Sequence, residues 1–469
     1  MALNPLAPAT LALPDDVNVL AAGLWPRNAD RRDGELVVGG VASSELVARY
    51  GTPLYVLDER DVRERAVEVS KALRSAFAQI GSTATVYYAG KAFLSIEFAR
   101  WMTEAGLKID VCSGGELAVV LAAGVVPERI GFHGNNKSLD EIDEAVRLGV
   151  GSIILDSQYE IERVAEAAAR HGVQQRVRLR VNSGVHAHTH EFLATAHEDQ
   201  KFGFALDTVR ATVARIRALD SLEFLGLHCH IGSQIFGAEG FAESATRLLR
   251  VHRDLLADGP VPELNLGGGF GIAYTASDRP TPIEVIAEQI ADAVARTCAD
   301  LAIPLPAVAF EPGRCIVGPA GLTLYTVGTT KDVEVSLPSD SGTAHRHYIS
   351  VDGGMSDNAR PALYGAEYTA VLANRASLKP ASLARVVGKH CESGDIVVDA
   401  SYLPEDVIPG DIIAVAATGA YCWSLASRYN YIGRPPVVAV RDGHSRVLID
   451  GDTREDLLRR DTAYQGASS

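Results

Sequence analysis

Eight apolar, strand-like runs alternate with Ala-rich helical stretches between residue 85 and residue 314 of this 469-residue chain. Near-continuous apolar strands separated by helices are typical of a parallel sheet covered on both faces, and eight such units predict a (β/α)8 barrel. The alternative is a doubly wound open sheet, which would gather its ligand residues at one switch point. The eight runs are TVYYAG (85–90), KIDVCSG (108–114), RIGFHG (129–134), SIILDS (152–157), RVRLRVN (176–182), FLGLHCHIGS (224–233), ELNLGGG (263–269) and AVAFEPGR (307–314).

The pattern changes after Arg314, where strand-like runs follow one another with turns and little helix between them. Runs such as LTLYTVGTTKDVEV and PVVAVRDGHSRVLI predict a mainly antiparallel β domain. The segment GELVVGGVA near the N-terminus is also strand-like, and we expect it to join that domain. The chain is therefore predicted to form a barrel over residues 51–316 and a β domain from residues 1–50 and 317–469. The polar stretch LPSDSGTAHRH (337–347) has the composition of a surface loop.

The composition argues against several classes of function. A formal net charge of −15 disfavours a nucleic-acid or anionic-membrane partner, since either would require a basic face. The six cysteines lack zinc-finger or CxxC spacing, so neither a disulfide framework nor a metal site is predicted. No apolar run reaches the roughly 18 residues that a membrane span needs. Prolines interrupt the Ala- and Leu-rich start, which also lacks a basic segment, and the protein is therefore predicted to be cytoplasmic.

In a (β/α)8 barrel the functional side chains collect at the C-terminal ends of the strands. Lys91 follows the first strand in YYAGKAF, where its amine would face the barrel mouth as a Schiff-base nucleophile. A surface lysine at the start of a helix is the alternative. The seventh strand ends in GGGFG (267–271), a loop whose backbone N–H groups can approach a phosphate closely, although tight turns also use glycine.

Two further strand ends carry polar side chains. The eighth ends in EPGR, which places Glu311 and Arg314 at the rim, either against a ligand or as an ion pair that closes the barrel. The sixth carries His228 and His230 on one face, where hydrogen-bonded core histidines are the alternative to ligand contacts. A lysine, a phosphate loop, a carboxylate for a ring nitrogen and a stacking imidazole are together what pyridoxal phosphate requires. The four strand ends therefore predict a pyridoxal phosphate site.

A set of short motifs resembles the diaminopimelate decarboxylases, a family of barrel-type, alanine-racemase-like pyridoxal phosphate decarboxylases. The motifs follow the family's order from residue 20 or so to the region of residue 450. His186 departs from the pattern, because an acidic residue is expected before AHTH. The motifs are YAGKAF, HGNNKS, HAHTHEF, EDQKFG, HIGSQI, LGGGFG, EPGR, SVDGGMSDNARPALYG, HCESGD and ATGAYC.

The resemblance implies which residues hold the cofactor. Lys91 would bind its aldehyde, His230 would stack on its ring, and Glu311 would face its ring nitrogen. Tyr421, in GAY, is similar to a tyrosine that contacts both the phosphate and the substrate. The remaining implied cofactor contacts are Ser233, Gly267, Gly268, Gly269, Gly313 and Arg314.

The same resemblance implies the proton donor and the substrate contacts. Cys391 would protonate the carbon from which carbon dioxide has left, and Glu392 would bind the distal ammonium of the substrate. Asp395, which follows SG, is predicted to have a structural role in a turn. In this family the cysteine segment enters the active site of the other subunit, so a homodimer with shared active sites is implied. The implied substrate contacts are Arg314, Arg360, Tyr364, Glu392 and Tyr421.

The implied reaction is that of a carboxy-lyase, converting meso-2,6-diaminoheptanedioate to L-lysine and carbon dioxide in the last step of lysine biosynthesis. An ornithine- or arginine-type decarboxylase is a rival with the same fold, but that type prefers an aspartate after the cysteine. An alanine racemase would place an arginine near the ring nitrogen and use a tyrosine as second base. A non-catalytic relative would be a bare barrel or would lack the lysine or the cysteine, and this chain has both.

Overall fold

The computed structural model describes residues 4–185, 201–337 and 342–465. His186, which departs from the family pattern, lies outside these ranges, as does part of the 337–347 stretch. Contacts along the chain define two compact units. The sheet unit comprises residues 1–62, 272–279 and 317–469, and the barrel unit comprises residues 63–271 and 280–316.

The strands are numbered in chain order. They are β1 Ala29–Arg32, β2 Glu35–Val38, β3 Val41–Ala42, β4 Leu54–Asp58, β5 Ala84–Ala89, β6 Lys108–Val111, β7 Ile130–Phe132, β8 Ser152–Leu155, β9 Gln175–Asn182, β10 Phe204–Ala205, β11 Leu222–His228, β12 Glu263–Asn265, β13 Ala307–Phe310, β14 Gly321–Ser336, β15 Thr343–Val351, β16 Ala370–Leu372, β17 Ala381–Val387, β18 Ile396–Pro404, β19 Ile412–Ala416, β20 Val437–Arg441 and β21 His444–Ile449.

The α-helices follow the same numbering. Each helix in the described ranges is too short or too polar to cross a lipid bilayer. They are α1 Ser43–Tyr50, α2 Glu59–Gln79, α3 Ile96–Glu104, α4 Gly114–Ala122, α5 Leu139–Leu148, α6 Gln158–His171, α7 Val209–Arg217, α8 Glu239–Leu256, α9 Ile283–Leu301, α10 Arg314–Val317, α11 Arg360–Tyr364 and α12 Arg454–Leu458.

Eight parallel strands close into a barrel within the described part of the barrel unit. Their order is β9-β11-β12-β13-β5-β6-β7-β8, and β8 pairs with β9 to complete the ring. Each of the eight predicted runs supplies one of these strands. The (β/α)8 barrel is therefore confirmed, and the open sheet is excluded because a closed ring has no switch point.

Serine caps fix where four successive barrel helices begin. The side chain of each serine accepts a hydrogen bond from the backbone N–H three residues further on, which satisfies a donor that the helix itself leaves unpaired. At α5 the partner Glu141 also bonds back to the serine backbone and completes a capping box. The strand ends are thereby held in place, because each capped helix starts a few residues after its strand. The four serines are Ser95, Ser113, Ser138 and Ser157.

A polar layer fills the barrel interior near the starts of the strands. Arg178 on β9 is 2% exposed and donates hydrogen bonds to Glu263 at 2.5 Å, to Ser152 at 2.5 Å and to Tyr87 at 3.1 Å. Ser152 and Glu263 are the first residues of β8 and β12. This buried charge is thus paired and hydrogen-bonded, as a charge in a barrel core must be.

The sheet unit is a mixed, mostly antiparallel sheet in the order β18-β17-β15-β14-β4-β20-β21, with β19 pairing β14 and β16. Strand β4 pairs with β14 and β20, so the N-terminal boundary of the barrel unit lies after Val62 rather than at the predicted residue 51. The N-terminal segment lies in this unit as its own three-stranded sheet, β1-β2-β3. Leu36 of that sheet donates to the carbonyl oxygen of Ala373, which follows β16.

A buried ion pair links the loop after β7 to α6 in the barrel unit. Lys137 is 4% exposed, and its Nζ donates to Glu160 at 2.8 Å and to the carbonyl oxygens of Gly134 and Ile154. Burial lowers the pKa of Lys137 and raises the pKa of Glu160, while the charge of each partner opposes the shift of the other. Removing one partner would leave the other charge buried without compensation.

We expect Glu160→Ala to destabilise the barrel unit by about 3–5 kcal/mol, the usual cost of stranding a buried charge. Glu162→Ala on the same helix is the control, because it removes an exposed pair with Arg215 that contributes little to stability. Thermal unfolding followed by circular dichroism compares the two variants. Equal unfolding midpoints would contradict the assignment of Lys137 and Glu160 as a pair on which the barrel depends.

Candidate active site

Lys91 lies directly after β5, in a short 3-10 turn formed by Gly90–Ala92. Its side chain is exposed, whereas Gly90 and Ala92 on either side are buried. His230 lies at the end of the sixth barrel strand. Its pKa is lowered mainly by burial and, to a smaller extent, by the positive charge of Lys91. The amine therefore lies at the C-terminal end of the barrel, as predicted for a nucleophile facing the barrel mouth.

The EPGR loop packs against the Lys91 turn. The backbone N–H of Ala89 donates to the carbonyl oxygen of Pro312 at 3.1 Å. A Cβ atom at Gly313 would lie 3.1 Å from the Cβ atoms of Ala89 and Ala92, which is closer than an ordinary van der Waals contact. Arg314 is 9% exposed and donates to the Ser233 hydroxyl at 2.8 Å. The first, sixth and eighth strand ends are thus brought together.

The glycine loop after β12 is closely packed on backbone. A Cβ atom at Gly268 would lie 2.0 Å from the carbonyl oxygen of Glu311, and one at Gly267 would lie 2.6 Å from that of Cys229. Gly267 and Gly269 also have positive φ angles of 70° and 116°, a conformation that glycine adopts at little cost. The loop is therefore a side-chain-free cradle in which only backbone groups face a ligand.

Glu311 follows β13, is hydrogen-bonded to two side chains and lies close to a third. Its Oε1 accepts from the Asn265 amide at 2.7 Å and lies 3.3 Å from His133 Nε2. Its Oε2 lies 3.2 Å from His228 Nε2. The Asn265 side chain also accepts from the backbone N–H of Gly267 at 2.8 Å, so one amide joins the carboxylate to the glycine loop.

The groups around Glu311 hold it ionised. Burial alone would raise its pKa, but the contact with His228 and the charge of His133 keep that pKa well below the usual range. Burial would also lower the pKa of His133, yet Glu311 and Asp110 raise it to about 9, so that ring is an imidazolium at neutral pH. Burial lowers the pKa of His228 to about 4, and that ring is a neutral donor.

His230 presents a neutral ring beside the glycine loop. Its Nδ1 lies 3.4 Å from the backbone nitrogen of Gly268, and burial lowers its pKa to about 3. An exposed amine, a side-chain-free cradle, an anionic carboxylate and a neutral imidazole now meet at one end of the barrel. This donor set fits pyridoxal phosphate, whose aldehyde, phosphate, ring nitrogen and ring face need such partners.

The predicted proton donor lies in the sheet unit, on the turn between β17 and β18. Cys391 and Glu392 are both exposed there. Asp395, which is 3% exposed, closes the turn: its Oδ1 accepts from Met355 N at 2.6 Å and its Oδ2 accepts from His390 N at 2.8 Å. The carboxylate of Asp395 thus has a structural role, because it holds the backbone of His390, the residue next to Cys391.

The remaining predicted substrate contacts lie on two other segments of the sheet unit. Arg360 is 6% exposed, donates to the Tyr368 hydroxyl at 2.5 Å and lies over the Tyr274 ring. Tyr364, at the end of the same short helix, is 69% exposed. Tyr421 follows β19 with a positive φ of 62°. The structure thus leaves Tyr364 open to a ligand, whereas the Arg360 guanidinium is held by tyrosines.

The comparison with known proteins agrees with this site. The model of the family "Pyridoxal-dependent decarboxylase, pyridoxal binding domain" matches residues 61–318. The diaminopimelate decarboxylase of Mycobacterium bovis is 50% identical over 448 residues, which cover 94% of this chain and 98% of the relative. That of Bacillus subtilis is 43% identical over 438 residues, which cover 92% and 96%.

The chain belongs to the diaminopimelate decarboxylase family. A solved diaminopimelate decarboxylase from M. jannaschii, in complex with L-lysine, has a TM-score of 0.86 at 28% identity and covers 93% of this chain and 98% of its own. A lysine/ornithine decarboxylase from Vibrio vulnificus, at 19% identity and a TM-score of 0.67, shares the fold. The family membership and its dependence on pyridoxal phosphate, both predicted from the motifs, are confirmed.

Sequence reasoning missed three members of the Glu311 surroundings. The sequence patterns do not point to Asn265, His133 or Asp110, and for His228 they leave a ligand contact and a core role both open. A signal was present, because His133 opens the HGNNKS motif and Asn265 is the last residue of a strand. Their meeting at one carboxylate depends on the closure of the barrel, which the sequence does not show residue by residue.

We expect Asp395→Asn to slow decarboxylation while leaving the visible absorbance of bound pyridoxal phosphate unchanged, because Lys91 and Glu311, the predicted partners of its aldehyde and ring nitrogen, lie in the barrel unit. The substitution turns one acceptor oxygen into a donor that faces a backbone N–H, at a cost of about 1–3 kcal/mol. Asp399→Asn is the control, since that carboxylate on β18 is 58% exposed and is paired with Arg385. Steady-state kinetics and absorbance spectra of both variants check this. Wild-type kinetics for Asp395→Asn would show that the turn does not need the carboxylate.

Proposed function

We propose that this member of the diaminopimelate decarboxylase family removes the carboxyl group at the D-centre of meso-2,6-diaminoheptanedioate. The products are L-lysine and carbon dioxide, and the reaction is the last step of lysine biosynthesis by the diaminopimelate route. The observation that carries the proposal is the meeting of Lys91, His230, Glu311 and the 267–269 loop at one end of the barrel. The L-lysine complex of the M. jannaschii relative supports the same product.

Bound pyridoxal phosphate supplies an electron sink for the pair left behind by the departing carboxyl group. Lys91 would bind the cofactor aldehyde until the substrate amine replaces it. The anionic Glu311 would hold the ring nitrogen protonated, and the neutral ring of His230 would pack on the cofactor face. The backbone of the glycine loop, Ser233 and Tyr421 would bind the phosphate, and Gly313 and Arg314 would be further cofactor contacts.

The residues of the sheet unit would complete the reaction. The Cys391 thiol would donate its proton to the carbon that has lost the carboxyl group, and the Glu392 carboxylate would bind the distal ammonium. Arg314, Arg360 and Tyr364 would bind the substrate carboxylate, although Arg360 must first exchange its bond with Tyr368 for one with the substrate.

The test of the function is release of L-lysine from meso-diaminopimelate, measured beside ornithine, arginine and the LL isomer. Only the meso compound should be consumed at a substantial rate. Glu392→Gln should lower kcat/KM on it by about 10-fold or more, because a charged hydrogen bond contributes about 1.5–3 kcal/mol. Lys91→Ala should be inactive. If the enzyme preferred ornithine, or if Glu392→Gln had the kcat/KM of the wild type, the proposed binding of the distal ammonium by Glu392 would be contradicted.

We also propose that two copies of the chain share each active site, with Lys91 from one protomer and Cys391 from the other. The support is the exposure of Cys391 and Glu392 on a turn of the sheet unit, together with the family resemblance.

We propose that the protein is cytoplasmic. Its six cysteines all lie in described ranges and are free thiols, which a reducing compartment maintains.

Shared sites predict complementation between two inactive variants. Lys91→Ala and Cys391→Ala homodimers each lack a complete site, but a heterodimer has one site with both lesions and one with neither. Unfolding and refolding the variants together in equal amounts should therefore recover about a quarter of wild-type activity, if pairing is random in a two-fold dimer. Mass spectrometry of the intact dimers is the control for heterodimer formation. Heterodimers without activity would contradict the shared site.

A further inference from the structure

His133 lies between two carboxylates and is not one of the predicted cofactor contacts. Its Nε2 is 3.4 Å from Asp110 Oδ1 on β6 and 3.3 Å from Glu311 Oε1 after β13. The side chains of all three are at most 13% exposed. The second oxygen of Asp110 is buried without a hydrogen-bond partner in the described part of the chain. An imidazolium at this position is therefore the group that separates two nearby negative charges.

We propose that His133 is a positioning residue, which as an imidazolium between Asp110 and Glu311 keeps Glu311 anionic and aimed at the ring nitrogen of the cofactor. Two carboxylates that share a site cannot both ionise easily, because each raises the pKa of the other. Burial and Glu311 already raise the pKa of Asp110 to about 6, against the opposing charge of His133. Without His133 a proton would be shared between the two carboxylates, and Glu311 would lose part of its charge.

The other groups that face this trio do not replace His133. His228 is a neutral donor, and Asn265 carries no charge. Arg178 is paired with Glu263 in the layer near the strand starts. Arg180 acts on Glu311 through its charge, without a hydrogen bond to it among the described contacts. Three further titratable groups interact electrostatically with His133, Asp110 or Glu311. They are Tyr87, Asp156 and His230.

The pH dependence follows from the raised pKa of His133. A histidine whose pKa is raised by folding contributes fully below its ordinary value and loses its contribution as the pH rises through the raised value. Wild-type affinity for pyridoxal phosphate should therefore be constant across the neutral range, where His133 is charged, and above a pH of about 9 Glu311 stays ionised because no proton remains for it to share. In His133→Gln the affinity should instead rise with pH across the neutral range, because Glu311 must first lose the shared proton.

The test measures binding of two cofactors to the apoprotein, pyridoxal phosphate and an analogue with carbon in place of the ring nitrogen. This inference rests on the proposed role of Glu311, and a binding readout keeps its failure separate from failure of the decarboxylation. His133→Gln should weaken pyridoxal phosphate binding by about 10-fold or more, because it removes a positive charge 3.3 Å from the Glu311 carboxylate, and it should leave binding of the analogue unchanged. Equal weakening of both cofactors would overturn the proposal, because a merely structural defect does not distinguish them.

A double variant and a surface control complete the experiment. Asp110→Asn combined with His133→Gln removes the competing carboxylate together with the cation, so pyridoxal phosphate affinity and its flat neutral pH profile should largely return. No recovery would overturn the proposal. His171→Gln, which breaks an exposed histidine–carboxylate pair with Asp143, should bind both cofactors as the wild type does.

If His133→Gln does not fold, Asp110→Asn alone provides the measurement. With one carboxylate removed, the pKa of His133 should fall, and NMR of the ring protons across a pH titration measures it. A His133 pKa equal to that of the wild type would overturn the proposal.

Discussion

One buried carboxylate determines how the C-terminal end of the barrel is arranged. Glu311 lies where an uncompensated negative charge would be costly, and the structure compensates it with an amide, a neutral imidazole and an imidazolium. Asn265 uses its other end to bind Gly267. The position of the carboxylate and the shape of the glycine loop are therefore fixed together, and a cofactor that needs a ring partner and a phosphate cradle finds both at a set spacing.

The two ends of the barrel interior solve the problem of buried charge in different ways. Near the strand starts, Arg178 and Glu263 neutralise one another, and their pair leaves no net charge for a ligand to balance. At the strand ends, two carboxylates face one imidazolium, which leaves a negative charge that a protonated ring nitrogen would balance. The sheet unit contributes a different element: a turn closed by Asp395, on which Cys391 and Glu392 are exposed.

Much of the fold and part of the site could be predicted from local sequence. The barrel strands are short apolar runs between capped helices, and the tight approach of Gly268 to the Glu311 backbone explains why that position must be glycine. Residues 54–58 lie inside the predicted barrel range, and only the pairing of β4 with β14 shows that they belong to the sheet unit. The contacts of His133 and the bond from Met355 N to Asp395 could not be predicted, because each joins residues that are distant in the sequence.

The central claim is that Glu311 holds the ring nitrogen of pyridoxal phosphate in its protonated form. The most direct measurement is the 15N NMR chemical shift of the ring nitrogen in holoenzyme reconstituted with 15N-labelled cofactor, recorded near neutral pH. We expect the shift of a protonated pyridine nitrogen, and we expect Glu311→Gln to move this shift toward the unprotonated value. An unprotonated ring nitrogen in the wild-type holoenzyme would contradict this role of Glu311.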